Sequence, residues 1–169
     1  MAIKDGLLGG FDNEMDNTRH VLERIPEDKF GWKPHPKSGT MIWLAGHVAN
    51  LAGWGTHTLQ SDEMDIAPGG KQMEPPPTPK NRQELLAIFD KGRNETRKAI
   101  EAASDADLMK PWSLKNNGQN ILTMPKVAVL RGVVINHLIH HRGQLTVYLR
   151  LNDVPVPALY GPSADEGRF

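Results

Sequence analysis

Cysteine is missing from this 169-residue chain, so the sequence offers no disulfide, no thiol nucleophile and no thiolate metal ligand. Net charge is missing too, because 20 Lys and Arg balance 20 Asp and Glu. The chain therefore lacks the basic surplus that nucleic-acid binders and polybasic membrane anchors use. No apolar run approaches about 18 residues, and the opening MAIKDGLLGGFDNEMD turns acidic at once. Neither a membrane span nor a signal peptide is expected.

What remains is an ordinary globular composition, with 38% hydrophobic and 24% charged residues. The length predicts one domain, residues 1–169, and the absences favour a cytoplasmic protein. Without thiolates, a metal would be held by nitrogen and oxygen ligands, so the seven histidines are the informative residues.

Apolar residues recur at spacings of three and four in four segments, which predicts four helices. The segments are residues 3–25, 40–59, 81–103 and 125–151, and Thr40 is a predicted N-cap. No segment alternates with period two over a useful length. The sequence therefore predicts an all-α domain with the architecture of a four-helix bundle.

Two long connections separate these helices. Residues 60–80 hold five of the 13 prolines, which excludes helix there and suits a crossover along the outside of a bundle. Residues 104–123 form the second connection, and loops of this length are uncommon unless they carry function or cover something. The irregular tail from residue 152 is expected to pack back on the helices because it keeps several apolar residues.

Three histidines fall on apolar helix faces. His137 and His141 are one turn apart on one face, because four residues turn about 400°. His47 shares a face with Leu44 and Leu51 on another helix. Two interpretations stay open. The three rings could hold one cation and leave a position for water, or each could be a core histidine bonded to a carbonyl or carboxylate.

Two stretches of the sequence resemble the DinB family, which is grouped with YfiT-like metal-dependent enzymes. The first is WKPHPKSGTMIWLAGHVANL, residues 32–51, and the second is NHLIHHRGQLTVYLRLNDVPVPALYGPSADE, residues 136–166. A histidine on the second helix combined with a late HxxxHRGQ motif is a fairly specific pattern.

The resemblance implies a four-helix bundle in up-up-down-down order, with a long crossover between helices 2 and 3. It implies a divalent metal held by His47, His137 and His141, and a homodimer. Some relatives are thiol transferases or isomerases that use low-molecular-weight thiols. Family resemblance does not fix the substrate.

Other residues could have a role beside these three histidines. His140 is expected at the surface, and His20, His35 and His57 have no partner at metal spacing. Either Arg142 or Gln144 could orient a ring, or both could lie on the helix surface. Four aromatic side chains are either core residues or the lining of a pocket: Trp43, Trp54, Trp112 and Tyr148.

No catalytic residue is assigned, because the acidic residues of the first helix are expected on a solvated face: Asp12, Glu14 and Asp16. The leading hypothesis is a metal-dependent, thiol-transferase-like enzyme that acts on a small molecule, with a low-molecular-weight thiol as co-substrate. The alternatives are a hydrolase with the same site and a non-catalytic, metal-stabilised dimeric bundle. Imidazole ligands suit several divalent metals, and zinc or nickel is expected.

Overall fold

The structure is a computed structural model that describes residues 2–167, and long helices make up most of it. α1 spans Ile3–Leu22, α2 spans Met41–Gln60 and α3 spans Arg82–Ala102. A short helix, α4, follows at Asp105–Leu108, and single 3-10 turns occupy Glu27–Lys29 and Pro68–Gly70. The first three predicted helices are therefore confirmed.

Side-chain caps set the beginnings of α2 and α3. The Thr40 hydroxyl accepts a hydrogen bond from the backbone N–H of Trp43 at 3.3 Å, as predicted. The Asn81 side chain accepts one from the backbone N–H of Glu84 at 2.8 Å. Each cap satisfies a backbone donor that has no partner within the helix. α1 ends before the predicted limit at Ile25, although that side chain is fully buried.

The fourth helical stretch consists of three parts. α5 covers Lys126–Val129, a π-helical segment covers Leu130–Asn136, and α6 covers His137–Arg150. The backbone is right-handed helical at both junctions, so the three parts form one continuous helix. Its bounds match the prediction, but the π-helical segment was not predicted. Such segments are frequent at functional sites because they change the direction in which side chains project.

A three-stranded sheet corrects the all-α prediction. β1 is Glu63–Asp65, β2 is Pro111–Asn116 and β3 is Gln119–Pro125, in the order β1-β2-β3. β1 pairs parallel to β2, and β2 pairs antiparallel to β3. The fold is therefore mostly helical with a small sheet, not a pure four-helix bundle. The up-up-down-down order of the helices stays a prediction.

The sheet uses parts of both connections that were expected to be irregular. Its alternation is too short to stand out, since only Trp112 and Leu114 alternate with polar residues in β2. The stronger signal is the turn Asn117-Gly118, where both residues have positive φ, 51° and 74°. Asn-Gly favours a two-residue hairpin turn because both residues tolerate this backbone conformation.

α2 and α3 pack closely because small residues meet at their crossing. A Cβ added to Gly92 would lie 2.7 Å from the Gly53 nitrogen and 3.0 Å from its Cα. The buried Thr96 hydroxyl of α3 donates a hydrogen bond to the Ala52 carbonyl of α2 at 2.7 Å. This contact fixes the position of α2 along the axis of α3, and α2 carries His47.

The tail packs back on the helices, as predicted. Val154, Val156 and Leu159 lie against the hydrophobic core. Charged pairs fix the tail further: Arg150 with Asp165 at 2.5 Å, and Arg24 with Glu166. Within residues 2–167, no helix has the length and hydropathy needed to cross a membrane.

Candidate metal centre

The three predicted histidines converge on one point between α2 and α6. The Nε2 atoms of His47 and His137 are 3.4 Å apart, and those of His137 and His141 are 2.9 Å apart. One nitrogen from each ring lies within 4.8 Å of the other two. All three side chains are half-buried. The predicted convergence is therefore confirmed, and it brings together residues 90 positions apart in the chain.

Hydrogen bonds on the outer side fix two of these rings. Nδ1 of His141 lies 2.7 Å from Oε1 of Gln144, to which it donates. The ring of His137 hydrogen-bonds the Val133 backbone, one turn earlier in the π-helical segment. Because Nε2 of His137 faces the other histidines, this bond belongs to Nδ1. Partners of this kind orient imidazole ligands and select the tautomer.

These bonds leave nitrogen lone pairs facing one another. A neutral imidazole that donates through Nδ1 carries its lone pair on Nε2. With His137 and His141 both donating outward, their Nε2 lone pairs meet at 2.9 Å, with that of His47 nearby. Facing lone pairs repel unless a proton or a cation lies between them.

Burial favours the neutral rings that metal binding needs. Burial lowers the pKa of His47 to about 4, with smaller contributions from the neighbouring His141 and His137. The pKa of His137 is lowered mainly by burial as well. Both rings are therefore neutral at pH 7, which is the form that ligates metals.

The donor set and spacing fit a divalent cation. Metal–imidazole bonds of about 2.0–2.1 Å at tetrahedral angles place ligand nitrogens about 3.3–3.4 Å apart. The His47–His137 distance matches this spacing, and the His137–His141 distance is shorter. Small ring rotations would open the closer pair, since its members lie one turn apart on the same helix.

Aromatic rings surround this cluster. Trp43 stacks on His47 with ring centroids 5.7 Å apart and planes 9° apart. Trp54 contacts His47 and His137 edge-on, at centroid distances of 6.3 and 6.0 Å. Trp43 is 53% exposed, so its indole face covers His47 from the solvent side.

A cavity of about 190 Å³ lies beside His47. Its walls are the α2 side chains Trp43 and Asn50 and the proline-rich segment 75–79. The long connection predicted to run along the bundle therefore covers part of the histidine cluster. One side of His47 faces a space large enough for small molecules.

A family model described as the DinB superfamily matches residues 11–145. The chain belongs to this superfamily. The match includes all three clustered histidines. The chain is also 27% identical over 163 residues to the uncharacterized protein YrdA of Bacillus subtilis. This alignment covers 96% of this chain and 90% of YrdA.

Two crystal structures of DinB-like proteins share the fold. One from Bacillus cereus superposes with a TM-score of 0.70 and 23% identity, covering 94% of this chain and 98% of that chain. YjoA from Bacillus subtilis gives a TM-score of 0.67 and 19% identity, covering 90% of this chain and 96% of that one. At these identities the likeness shows the fold alone.

Gln144 and Arg142, the two candidates for orienting a histidine ring, have different positions in this DinB-superfamily chain. Gln144 orients His141, as one alternative held, and its amide nitrogen donates to the exposed His140 at 3.1 Å. Arg142 fits neither alternative, because it is 1% exposed and points away from the cluster into a buried contact with Glu14. The expected exposure of Glu14 is therefore wrong.

The remaining residues lie away from the cluster. Asp12 and Asp16 form ion pairs with Arg97 and Arg93 at 3.0 and 2.7 Å. The other histidines outside the cluster are all exposed: His20, His35 and His57. Sequence reasoning missed the Val133 backbone contact with His137, because nothing in the sequence marks the π-helical segment that makes it.

Proposed function

We propose that this DinB-superfamily protein holds a divalent cation on His47, His137 and His141 and acts as a metal-dependent, thiol-transferase-like enzyme. The observation that carries the proposal is the meeting of three imidazoles, two of them held by hydrogen bonds on their outer side, with ring nitrogens facing one another beside a cavity. Three protein ligands leave a coordination position for another molecule, as in catalytic zinc sites.

The protein's own residues would bind and orient. Gln144 and the Val133 backbone hold the His141 and His137 rings, and the stacked Trp43 limits the motion of His47. A divalent cation held there would supply Lewis-acid chemistry, lowering the pKa of a bound water or thiol. Such chemistry would not need a carboxylate from α1, where Asp16, Asp12 and Glu14 are paired with arginines instead.

Zinc or nickel is the proposed metal, because an all-imidazole donor set suits borderline divalent ions better than magnesium or calcium. The co-substrate is proposed to be a low-molecular-weight thiol, following the activities of some DinB relatives. We also retain as proposals a single functional domain, the up-up-down-down helix order, a cytoplasmic location and a homodimer. Light scattering of the purified protein tests the dimer.

The decisive experiment is metal analysis of protein purified without nickel resin. We expect about one equivalent of a divalent metal in the wild type and a large loss of bound metal in His137→Ala, because one of three ligands is missing. His20→Ala, an exposed histidine on α1, is the matched control and should retain the metal. A wild type that takes up no stoichiometric zinc or nickel would end the proposal.

Activity assays separate the remaining alternatives. Turnover of electrophilic substrates only when a thiol is added would support the transferase, whereas equal turnover without thiol would identify a hydrolase. A metal that raises the melting temperature without supporting either reaction would favour the non-catalytic bundle.

A further inference from the structure

A second cavity, of about 320 Å³, borders the histidine cluster at His137. It is bounded by the sheet, by the π-helical segment and by α2. His137 forms part of its wall, so this ring borders both the apolar cavity and the histidine cluster. The cavity and the candidate metal centre are therefore adjacent.

The sheet presents an apolar face to this cavity. Trp112 and Leu114 are two positions apart in β2 and therefore project to the same side. Met64 of β1 pairs with Leu114 in the sheet register and lines the cavity with it. Opposite them stands Val133 of the π-helical segment. The sheet and the π-helical segment, neither of which was predicted from the sequence, thus meet at this cavity.

The polar side chains that line the cavity are few: Thr58, Trp112, His57 and His137. The Thr58 hydroxyl donates to the Trp54 carbonyl at 3.0 Å. The Trp112 indole N–H points to the Ser61 hydroxyl at 3.5 Å. Among the described residues, no Lys, Arg, Asp or Glu lines the cavity, so a charged ligand group placed against its apolar walls would lose hydration without an ion-pair partner from these residues. The cavity therefore suits uncharged, apolar groups.

From this placement we propose that the cavity binds the apolar body of the substrate and directs its reactive group past His137 to the metal centre. Only the direction of the reactive group to the metal centre rests on the proposed function, since binding of an apolar group in the cavity does not need the metal. An apolar cavity of about 150 Å³ is known to accept benzene. A cavity of about 320 Å³ therefore has room for a two-ring aromatic or a medium-length aliphatic group.

Binding of 6-propionyl-2-(dimethylamino)naphthalene, an uncharged fluorescent probe with a two-ring aromatic body, tests the cavity without metal or turnover. We expect saturable 1:1 binding to the wild type, and binding weakened about tenfold or more in Leu114→Gln, because the amide is left unpaired in an apolar wall. Ile121→Gln changes an apolar residue of β3 that is 52% exposed, and it should bind the probe as the wild type does. Circular dichroism checks that both variants fold.

Leu114→Phe is the second variant, since it fills part of the cavity without adding a polar group and should also reduce binding. Absence of saturable binding to the wild type, or equal binding by the wild type and both Leu114 variants, would overturn the proposal. His47→Ala should bind the probe normally while losing the metal, because His47 does not line this cavity. Loss of probe binding in this variant would count against a separate apolar site.

Two thiols test whether the cavity faces the metal centre. In cobalt-loaded protein, 2-phenylethanethiol should perturb the visible absorption bands at lower concentration than 2-mercaptoethanol. Leu114→Gln should reduce that difference. Equal affinities in the wild type, together with normal probe binding, would refute the directed substrate while leaving the metal site intact. Probe binding without any metal uptake would refute the proposed function and leave the apolar site standing.

Discussion

Arg142 is the most deeply buried charge in the described part of the chain, and its removal should destabilise the fold strongly. The guanidinium is 1% exposed and donates to the Glu14 carboxylate at 2.7 Å and to the Glu14 carbonyl at 3.0 Å. It also donates to the Thr18 hydroxyl at 3.1 Å and to the Tyr160 hydroxyl. One side chain thus connects α6, α1 and the tail.

The magnitude follows from the group that would be left behind. Arg142→Met keeps much of the apolar volume but leaves the Glu14 carboxylate, in a residue only 9% exposed, without its counter-charge. Breaking a buried pair in this way costs about 3–5 kcal/mol. For a protein of this size, each kcal/mol lowers the melting temperature by about 2–4 °C, so we expect a fall of about 6–20 °C.

A double-mutant cycle separates the charge effect from packing. Glu14→Gln combined with Arg142→Met should cost less than the sum of the single changes, because neither charge remains buried alone. Arg93→Met is the control, since Arg93 pairs at 2.7 Å with the 61% exposed side chain of Asp16. Such a pair contributes about 0–1 kcal/mol.

Urea unfolding followed by circular dichroism measures all five proteins: the wild type, the two single variants, the double variant and the Arg93→Met control. The reasoning would be refuted if Arg142→Met lost no more stability than Arg93→Met, or if the two changes at the buried pair were strictly additive. Either result would mean that the carboxylate of Glu14 finds water or another partner when the guanidinium is gone.

Three further changes test the packing, the turn and the acid response. Gly92→Ala should cost about 1–3 kcal/mol in urea unfolding, because its Cβ would meet backbone of α2, whereas Gly53→Ala, whose Cβ would lie 3.4 Å from the Gly92 Cα, should cost less. Gly118→Ala should lower the free energy of unfolding by about 1–2 kcal/mol, because alanine is strained at a φ of 74°. Gly6→Ala, on a helix with open space around the added Cβ, should be neutral or stabilising. Equal effects of the two changes would argue against the turn. Backbone N–H groups of residues 67, 118 and 117 hold the pKa of Asp65 below its ordinary value, so its stabilisation is present above about pH 4 and is lost as the pH falls through the folded-state pKa. Asp65→Asn should therefore be less stable than the wild type at pH 7, with the difference shrinking at pH 3, and a constant difference would contradict this.

The helices were accessible from the sequence because they follow from local spacing, whereas the three-histidine set was implied by the resemblance to the DinB family. Apolar residues at intervals of three and four fix which face of a helix turns inward. His47, His137 and His141 lie on those faces, which makes their meeting possible, but spacing within each helix does not determine which residues of two helices meet. The caps at Thr40 and Asn81 likewise depend on residues only three positions away.

What sequence reasoning missed depends on distant partners or on short elements. Arg142 looks like a surface residue on its helix, and only Glu14, 128 positions away, makes its burial tolerable. β1 has three residues and pairs with β2, about 50 positions later, so its own sequence carries almost no strand signal. The Asn117-Gly118 turn was the one local clue to the sheet.

The two segments predicted as long connections form walls of both cavities that border the histidines. Residues 75–79 form a wall of the cavity beside His47, and Met64, Trp112 and Leu114 form a wall of the cavity beside His137. The helices therefore supply the donor atoms, while the connections shape the space around them. Connecting segments tolerate sequence change far better than packed helices do. The walls that would contact a substrate thus come from the segments that a shared fold determines least, so the likeness to other DinB-like proteins does not identify the substrate.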